Sequence, residues 1–398
     1  MKIGFISEHY PPTAGGVATS TQRVAREIAK QGFEVYVVCF DATQPIESED
    51  FIIEEHDSNV KIFRVGPFFL KQTSIDIASL PEKIKATFRR RAYNQMISIL
   101  KEINIDVILS FYLLNAGYLA LFASRELSIP FIAGVRGNDI GRNIFHTQRF
   151  GVIQSVIHGA DKIVCVNEHL KRRMLVAFPE AISKTSIIPN SIMPFNLPDK
   201  IISKSKILKA TGWNEDDLIV VFSGSLREKK GVVPLIHALR ICGYNHSIKL
   251  LVVGPNIGNV EKKMCGKLWD QLKADNKIYT TGQIPRKDVC KWVIGGAVIV
   301  MPSLDDGMAN GLLEGMLMGL CPIVSDIFSD IIEHNYSGII VSCNNAESIS
   351  DAFIAISRNK NKAKALGKSA QTVIHQHHNP KDEASKYINL FKGLLNNE

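Results

Sequence analysis

Short, almost unbroken apolar runs, each followed by a stretch with helical periodicity, recur along all 398 residues. Lys2–Ser7, Glu34–Phe40, Asp106–Ser110, Pro130–Val135 and Asp161–Val166 are rich in β-branched residues and lack strict in–out alternation. Parallel strands buried on both faces look like this. Such strands need long crossovers, and the intervening segments supply them. Val17, Thr21, Val24 and Ile28 fall on one helical face, and Ala116 to Glu126 reads as a second helix. The alternation restarts with Leu218–Ser223, Ile248–Val253, Lys277–Thr281, Ala297–Met301, Cys321–Ser325 and Gly338–Ser342. We therefore expect an α/β protein of two doubly wound domains, residues 1–190 and 191–378, with ligands in a cleft between them. The join is placed at Pro189-Asn190-Ser191-Ile192-Met193-Pro194 and Pro198, which suit no helix or strand interior. Residues 379–398 carry an amphipathic helix over 381–395. Ala384, Tyr387, Ile388, Phe391, Leu394 and Leu395 lie on one side, expected to pack back on the first domain.

Composition excludes several classes. Seven Cys, none in a C-x2-C pair, argue against a zinc ribbon or a disulfide scaffold and fit a reducing cytoplasm. The apolar start Ile3–Ile6 stops at Ser7-Glu8-His9, too short for a signal peptide, and no window suits a membrane span. The net charge of +8 is spread evenly: 22 Lys+Arg against 19 Asp+Glu in 1–190, and 25 against 20 in 191–398. Neither half is a basic nucleic-acid domain, so no nucleic-acid partner is expected. A small anionic ligand or an anionic lipid surface fits as well. The segment 81–104 bears on the second, because Lys83, Lys85, Arg89, Arg90, Arg91 and Lys101 alternate with Ile84, Phe88, Met96, Leu100 and Ile103. It reads either as a core-facing helix with a solvated basic face or as a peripheral contact with an inner membrane face.

Three strand-to-helix loops carry chemistry. Pro11-Pro12-Thr13-Ala14-Gly15-Gly16 ends the first strand; its paired glycines either admit close approach of a ligand or make a plain turn. Ser223-Gly224-Ser225-Leu226-Arg227-Glu228-Lys229-Lys230-Gly231 precedes a helix. Arg227 and Lys230 there oppose the helix dipole unless an anion such as a diphosphate sits between them; a solvated basic loop is the plain alternative. The third, Met301 to Met318, holds Asp305 and Asp306 and then Glu314 among Leu312, Leu313, Met316 and Leu317. A carboxylate in that setting needs a partner, either a ribose diol or a core Arg or Lys. Asp306 either meets a ligand or caps the helix. The glycines do not form the dinucleotide fingerprint G-x-G-x-x-G, and no Asp-x-Asp occurs, so neither a dehydrogenase nor a metal-dependent transferase is indicated. His375-Gln376-His377-His378 is expected to be an exposed loop.

Together these segments resemble the retaining glycosyltransferases of family 4, which have the GT-B fold of two facing Rossmann-like domains. The matching phrases are Gly15-Gly16, Ala160-Asp161-Lys162-Ile163-Val164-Cys165-Val166-Asn167-Glu168, Ile188-Pro189-Asn190-Ser191, Lys230-Gly231, Pro302-Ser303, and Asp306-x7-Glu314 with Leu312-Leu313-Glu314-Gly315-Met316. The resemblance implies an acceptor domain at 1–190 and a donor domain at 191–378. It implies transfer from a nucleotide diphosphate sugar (UDP- first, GDP- or ADP- next) to a glycan, lipid or small-molecule acceptor, with retention and without metal or other cofactor. Arg227 and Lys230 would bind the diphosphate, Glu314 the ribose and Asp306 the sugar hydroxyls. Ser223, Gly224 and the backbone of Gly307, Met308, Ala309, Asn310 and Gly311 would meet phosphate or sugar. Gln283 and Ile284 would border the base.

The chain departs from that pattern in three places. Asp306 stands where the signature has Glu. The H-x-H after the third strand reads Leu109 and Phe111. H-G-x-D reads Arg136-Gly137-Asn138-Asp139, with Arg142 one turn on. Arg136 is a candidate for the phosphate or a charged acceptor and Asp139 for the acceptor hydroxyl, or the two pair with each other. A non-catalytic sugar-nucleotide-binding scaffold of the same fold is the alternative.

Overall fold

The computed structural model describes residues 1–13, 15–40, 51–66, 82–243 and 247–396, and the chain divides into two units. The first comprises Met1–Asn190 and Pro380–Glu398, the second Ser191–Asn379.

The first unit is built on eight strands: β1 (Lys2–Ser7), β2 (Glu34–Cys39), β3 (Phe51–Asp57), β4 (Val60–Gly66), β5 (Val107–Phe111), β6 (Phe131–Val135), β7 (Lys162–Cys165) and β8 (Thr185–Ile187). Their order is β3-β4-β2-β1-β5-β6-β7-β8. Neighbours run parallel except β3 and β4. The central strands are apolar throughout because helices cover both faces: every residue of β5 and β6 is buried. The helix Gly16–Lys30 buries Ala18, Val24, Ala25 and Ile28. The helix Pro380–Leu395, with proline at its first position, packs beside it. Tyr387 and Phe391 are fully buried in the same core as Phe5 and Phe111. Glu383 of that helix accepts from Arg23 Nε (2.9 Å) and Nη2 (3.0 Å) in a buried pair.

The second unit has six parallel strands: β9 (Leu218–Ser223), β10 (Ile248–Val253), β11 (Ile278–Thr280), β12 (Val298–Met301), β13 (Cys321–Ser325) and β14 (Ile339–Val341). Their order is β11-β10-β9-β12-β13-β14. Each sheet thus reverses its winding once, between β1 and β5 and between β9 and β12. Ligands of doubly wound sheets bind outside the carboxyl ends of the strands at such points.

Sequence and structure part at a few elements. The hairpin β3–β4 and the three-residue edge strand β8 are additional to the expected strands. His375 to His377 lie inside the helix Lys360–His377 rather than in a loop, and His378 is buried. The helix Glu82–Ile103 buries Ala92, Met96, Ile97 and Leu100 and exposes Lys83, Arg89, Arg90, Arg91 and Lys101. Pro81 and the side chains of Ile84 and Lys85 lie outside the described residues. No helix among the described residues is long and apolar enough to cross a membrane.

Candidate functional site

Beyond β9 and β12 the second unit brings two of the expected loops together. Gly224, at φ +126°, turns the chain out of β9, and a Cβ on it would stand 3.5 Å from Lys230 Nζ. A short turn, Glu228–Lys230, leads to Gly231 at φ +71°. A Cβ at Gly231 would lie 1.9 Å from the Pro302 carbonyl oxygen, so only glycine lets this loop press on the one after β12. Leu304 N–H (2.8 Å) and Asp305 N–H (3.1 Å) donate to the Lys229 carbonyl and lock the two loops.

Lys230 Nζ consequently stands 3.8 Å from Asp306 Oδ2. Asp306 Oδ1 accepts from Gly307 N–H at 2.9 Å, while Oδ2 is buried and has no hydrogen-bond partner. A buried carboxylate oxygen left without a donor is costly, and a ligand hydroxyl would satisfy it. Met308 and Ala309 are buried, and the helix Asn310–Leu317 opens beside them. Gly311 seats that helix end on β9, because a Cβ there would be 2.9 Å from the Ser223 carbonyl oxygen. The start of that helix thus lies four residues along the loop from Asp306, the partner of Lys230. Arg227 is 62% exposed, with Nη1 3.8 Å from Glu261 Oε1.

Asp306 does not cap the helix that carries Glu314. The helix begins four residues later, at Asn310, with Ala309 at the cap. Asp306 is held by its loop instead. Glu314 is 1% exposed, and its two oxygens pair with Arg286, whose Nη1 donates to Oε2 at 3.0 Å. The hydrogen bond to Glu314 raises the Arg286 pKa further. The cation partner of Glu314 is therefore an exposed arginine that the sequence reading did not single out. Its signal was a basic side chain directly after Gly282-Gln283-Ile284-Pro285. Gly282 takes φ +71°, Gln283 is exposed, Ile284 is half-buried, and Arg286 two residues on reaches Glu314.

In the first unit the side-chain pair of Arg136 and Asp139, the alternative to functional roles for them, does not form. Asp139 is fully buried and accepts from the backbone N–H groups of Gly137 (2.7 Å), Arg136 (2.9 Å) and Ile140 (3.2 Å). Burial pushes its pKa up and those amides pull against the shift. With both oxygens accepting from backbone amides, it shapes the loop. Arg136 lies 4.0 Å above the Phe111 ring and donates from Nη2 to Asn190 Oδ1 at 2.8 Å. Gly15 and Gly16 are exposed at the start of their helix, and a Cβ at Gly15 would meet nothing within 4 Å. The chain's own packing therefore does not demand glycine at Gly15.

Known proteins resemble this chain in sequence and in fold. A family model described as "Glycosyl transferases group 1" matches residues 203–373, and one described as "Glycosyltransferase Family 4" matches 14–194. An uncharacterized glycosyltransferase of Methanocaldococcus jannaschii is 22% identical over 98% of this chain and 98% of its own. Sucrose-phosphate synthase from Thermosynechococcus elongatus superposes with a TM-score of 0.79 at 17% identity, covering 100% of both chains. HepE of Anabaena, solved with UDP-glucose, superposes with a TM-score of 0.72 at 15% identity over 99% of this chain and 100% of its own.

Proposed function

Given that this chain is a GT-B-fold glycosyltransferase resembling family 4 and acting on a nucleotide sugar, we propose that it transfers the sugar of a UDP-sugar with retention and without a metal ion. The observation that carries this reading is Asp306. Its buried Oδ2 has no donor and sits 3.8 Å from Lys230 Nζ, beside a helix start at the switch point of the sheet. Lys230, Arg227 and the N–H groups of Met308 to Gly311 stabilise the charge that builds on the departing diphosphate. They do the work a divalent cation does elsewhere. Asp306 holds donor-sugar hydroxyls, and Glu314 shares its carboxylate between Arg286 and the ribose. Gln283 and Ile284 border the base. UDP is placed first because HepE of Anabaena was solved with UDP-glucose; GDP and ADP donors follow.

Residues 191–379 serve the donor and the first unit the acceptor, in the cytoplasm. The exposed basic face of the helix Glu82–Ile103 is where the protein would touch an anionic membrane. Thermal shift against UDP, GDP, ADP and their sugars, followed by hydrolysis and transfer assays in excess EDTA, tests the reading. We expect stabilisation by a nucleotide diphosphate, turnover undiminished by chelator, and a product anomer matching the donor. Activity that disappears with EDTA and returns with Mg2+ rules out the metal-free mechanism, and an inverted product rules out retention.

A further inference from the structure

The first unit has its own cavity of about 410 Å³, outside the carboxyl ends of β1 and β5 where that sheet reverses. Glu8 forms its acidic wall, one residue beyond β1. Its Oε1 is buried and has no hydrogen-bond partner. Tyr112, just after β5, lines the cavity at φ +97°, a conformation that costs a residue with a side chain and collects at binding sites. Gly117 permits it, since a Cβ there would lie 2.6 Å from the Tyr112 carbonyl oxygen. The Tyr112 hydroxyl accepts from Asn143 Nδ2 at 2.7 Å, and Asn143 Oδ1 accepts in turn from Arg149 Nη1. Arg142 and Arg149 complete the lining, both exposed to solvent. Among the described residues no carboxylate lies within ion-pair distance of either guanidinium. A pocket of ligand size thus offers one lone carboxylate oxygen on its wall and two uncompensated forks on its lining.

We infer that this cavity takes the acceptor, and that the acceptor is a hydroxyl-bearing molecule with an oxyanion group, a phosphate or a carboxylate. The group is gripped by Arg142 and Arg149 while a hydroxyl reaches Glu8. The assignment to the acceptor rests on the glycosyl-transfer reading; the anion site stands on its own residues. Guanidinium forks match both oxyanions in bidentate fashion, and the Tyr112–Asn143–Arg149 chain holds one of them ready.

Isothermal titration of the full chain with glucose, glucose 6-phosphate, glucuronate and inorganic phosphate tests this, in buffer free of other oxyanions. The phosphate ester or the uronate, or both, should bind at least roughly tenfold more tightly than glucose. Arg142→Ala/Arg149→Ala should remove that advantage and leave UDP affinity unchanged. Preference for the ester identifies a phosphate and preference for the uronate a carboxylate. Equal binding of glucose and the charged probes overturns the inference. So does charged-probe affinity that survives the double substitution, or the failure of every probe to bind. Where the double variant does not fold, the single variants Arg142→Ala and Arg149→Ala are judged by the same criteria. Failure of the wild-type chain to bind any nucleotide would sink the transfer reading instead and leave the anion result standing.

Discussion

Two departures from the family pattern explain each other at the level of single side chains. Phe111 and Arg136 are two places where the sequence departs from the pattern it resembles. The structure stacks one on the other at 4.0 Å, so the apolar ring is a platform for the cation. Neither substitution alone announced this, because the partners are 25 positions apart and meet only through the parallel pairing of β5 with β6. Lys230 and Asp306 were legible for the opposite reason. Both follow strands whose burial is obvious, and glycines mark the loops that join them. Lys230→Ala should raise the dissociation constant for a nucleoside diphosphate roughly 10–150-fold, the worth of a charge-assisted hydrogen bond of about 1.5–3 kcal/mol. The nucleoside alone should bind the variant as poorly as it binds wild type. Asp306→Asn should leave nucleotide affinity within about twofold, while turnover drops or sugar choice relaxes. Titration and donor hydrolysis on the two variants check both statements. An unaltered constant for the Lys230 variant, or lost nucleotide binding by the Asp306 variant, contradicts the roles assigned to them.

Elements buried on both faces were readable from composition alone, whereas the sheet edge was not. β4 carries Arg64, fully buried, with Nε donating to Glu55 Oε2 at 3.0 Å and Nη2 to the Pro11 carbonyl at 2.7 Å. A buried cation in a strand breaks any hydrophobic pattern, and its neighbour β3 is an antiparallel edge rich in charge. β8 is only three residues long. The β3–β4 hairpin is fastened to the rest of the unit through Asp57. That carboxylate accepts from Tyr10 OH (2.7 Å), Gln22 Nε2 (2.8 Å) and Arg26 Nε (2.9 Å). Burial pushes the Asp57 pKa up, but these hydrogen bonds and the Arg26 charge together outweigh it and hold it below its ordinary value. A carboxyl depressed in the folded state stabilises the fold above its unfolded value of about 3.9. The contribution fades as pH falls from there through the folded value. Asp57→Asn should therefore cost up to about 3 kcal/mol at neutral pH. The gap to wild type in urea melts should narrow below about pH 4. A gap unchanged down to pH 3 would refute the linkage.

On the scale of the whole molecule, the chain crosses between its units twice, after Asn190 and after Asn379. The two crossings run side by side, since Ile192 N–H donates to the His378 carbonyl at 3.0 Å. The second unit is thus an insertion, and Lys230, Asp306, Glu314 and Arg286 all lie within it. Residues 191–379 expressed alone should fold and bind a nucleoside diphosphate within roughly threefold of the full chain. Residues 1–190 alone should not melt cooperatively, whereas 1–190 joined through a short Gly/Ser linker to 380–398 should. Calorimetry of the three fragments decides the matter; a cooperative transition in 1–190 alone would show the returning helix to be dispensable. The same helix sets a timetable during synthesis. At about 5–20 residues per second, the ribosome takes roughly 10–40 seconds to pass from Asn190 to Pro380. Throughout that interval Phe5, Phe111 and Arg23 wait for Tyr387, Phe391 and Glu383, while the inserted unit has everything it needs to close first. A nascent chain of this protein therefore exposes an unfinished apolar core to whatever holds emerging polypeptides, and matures from the middle outward.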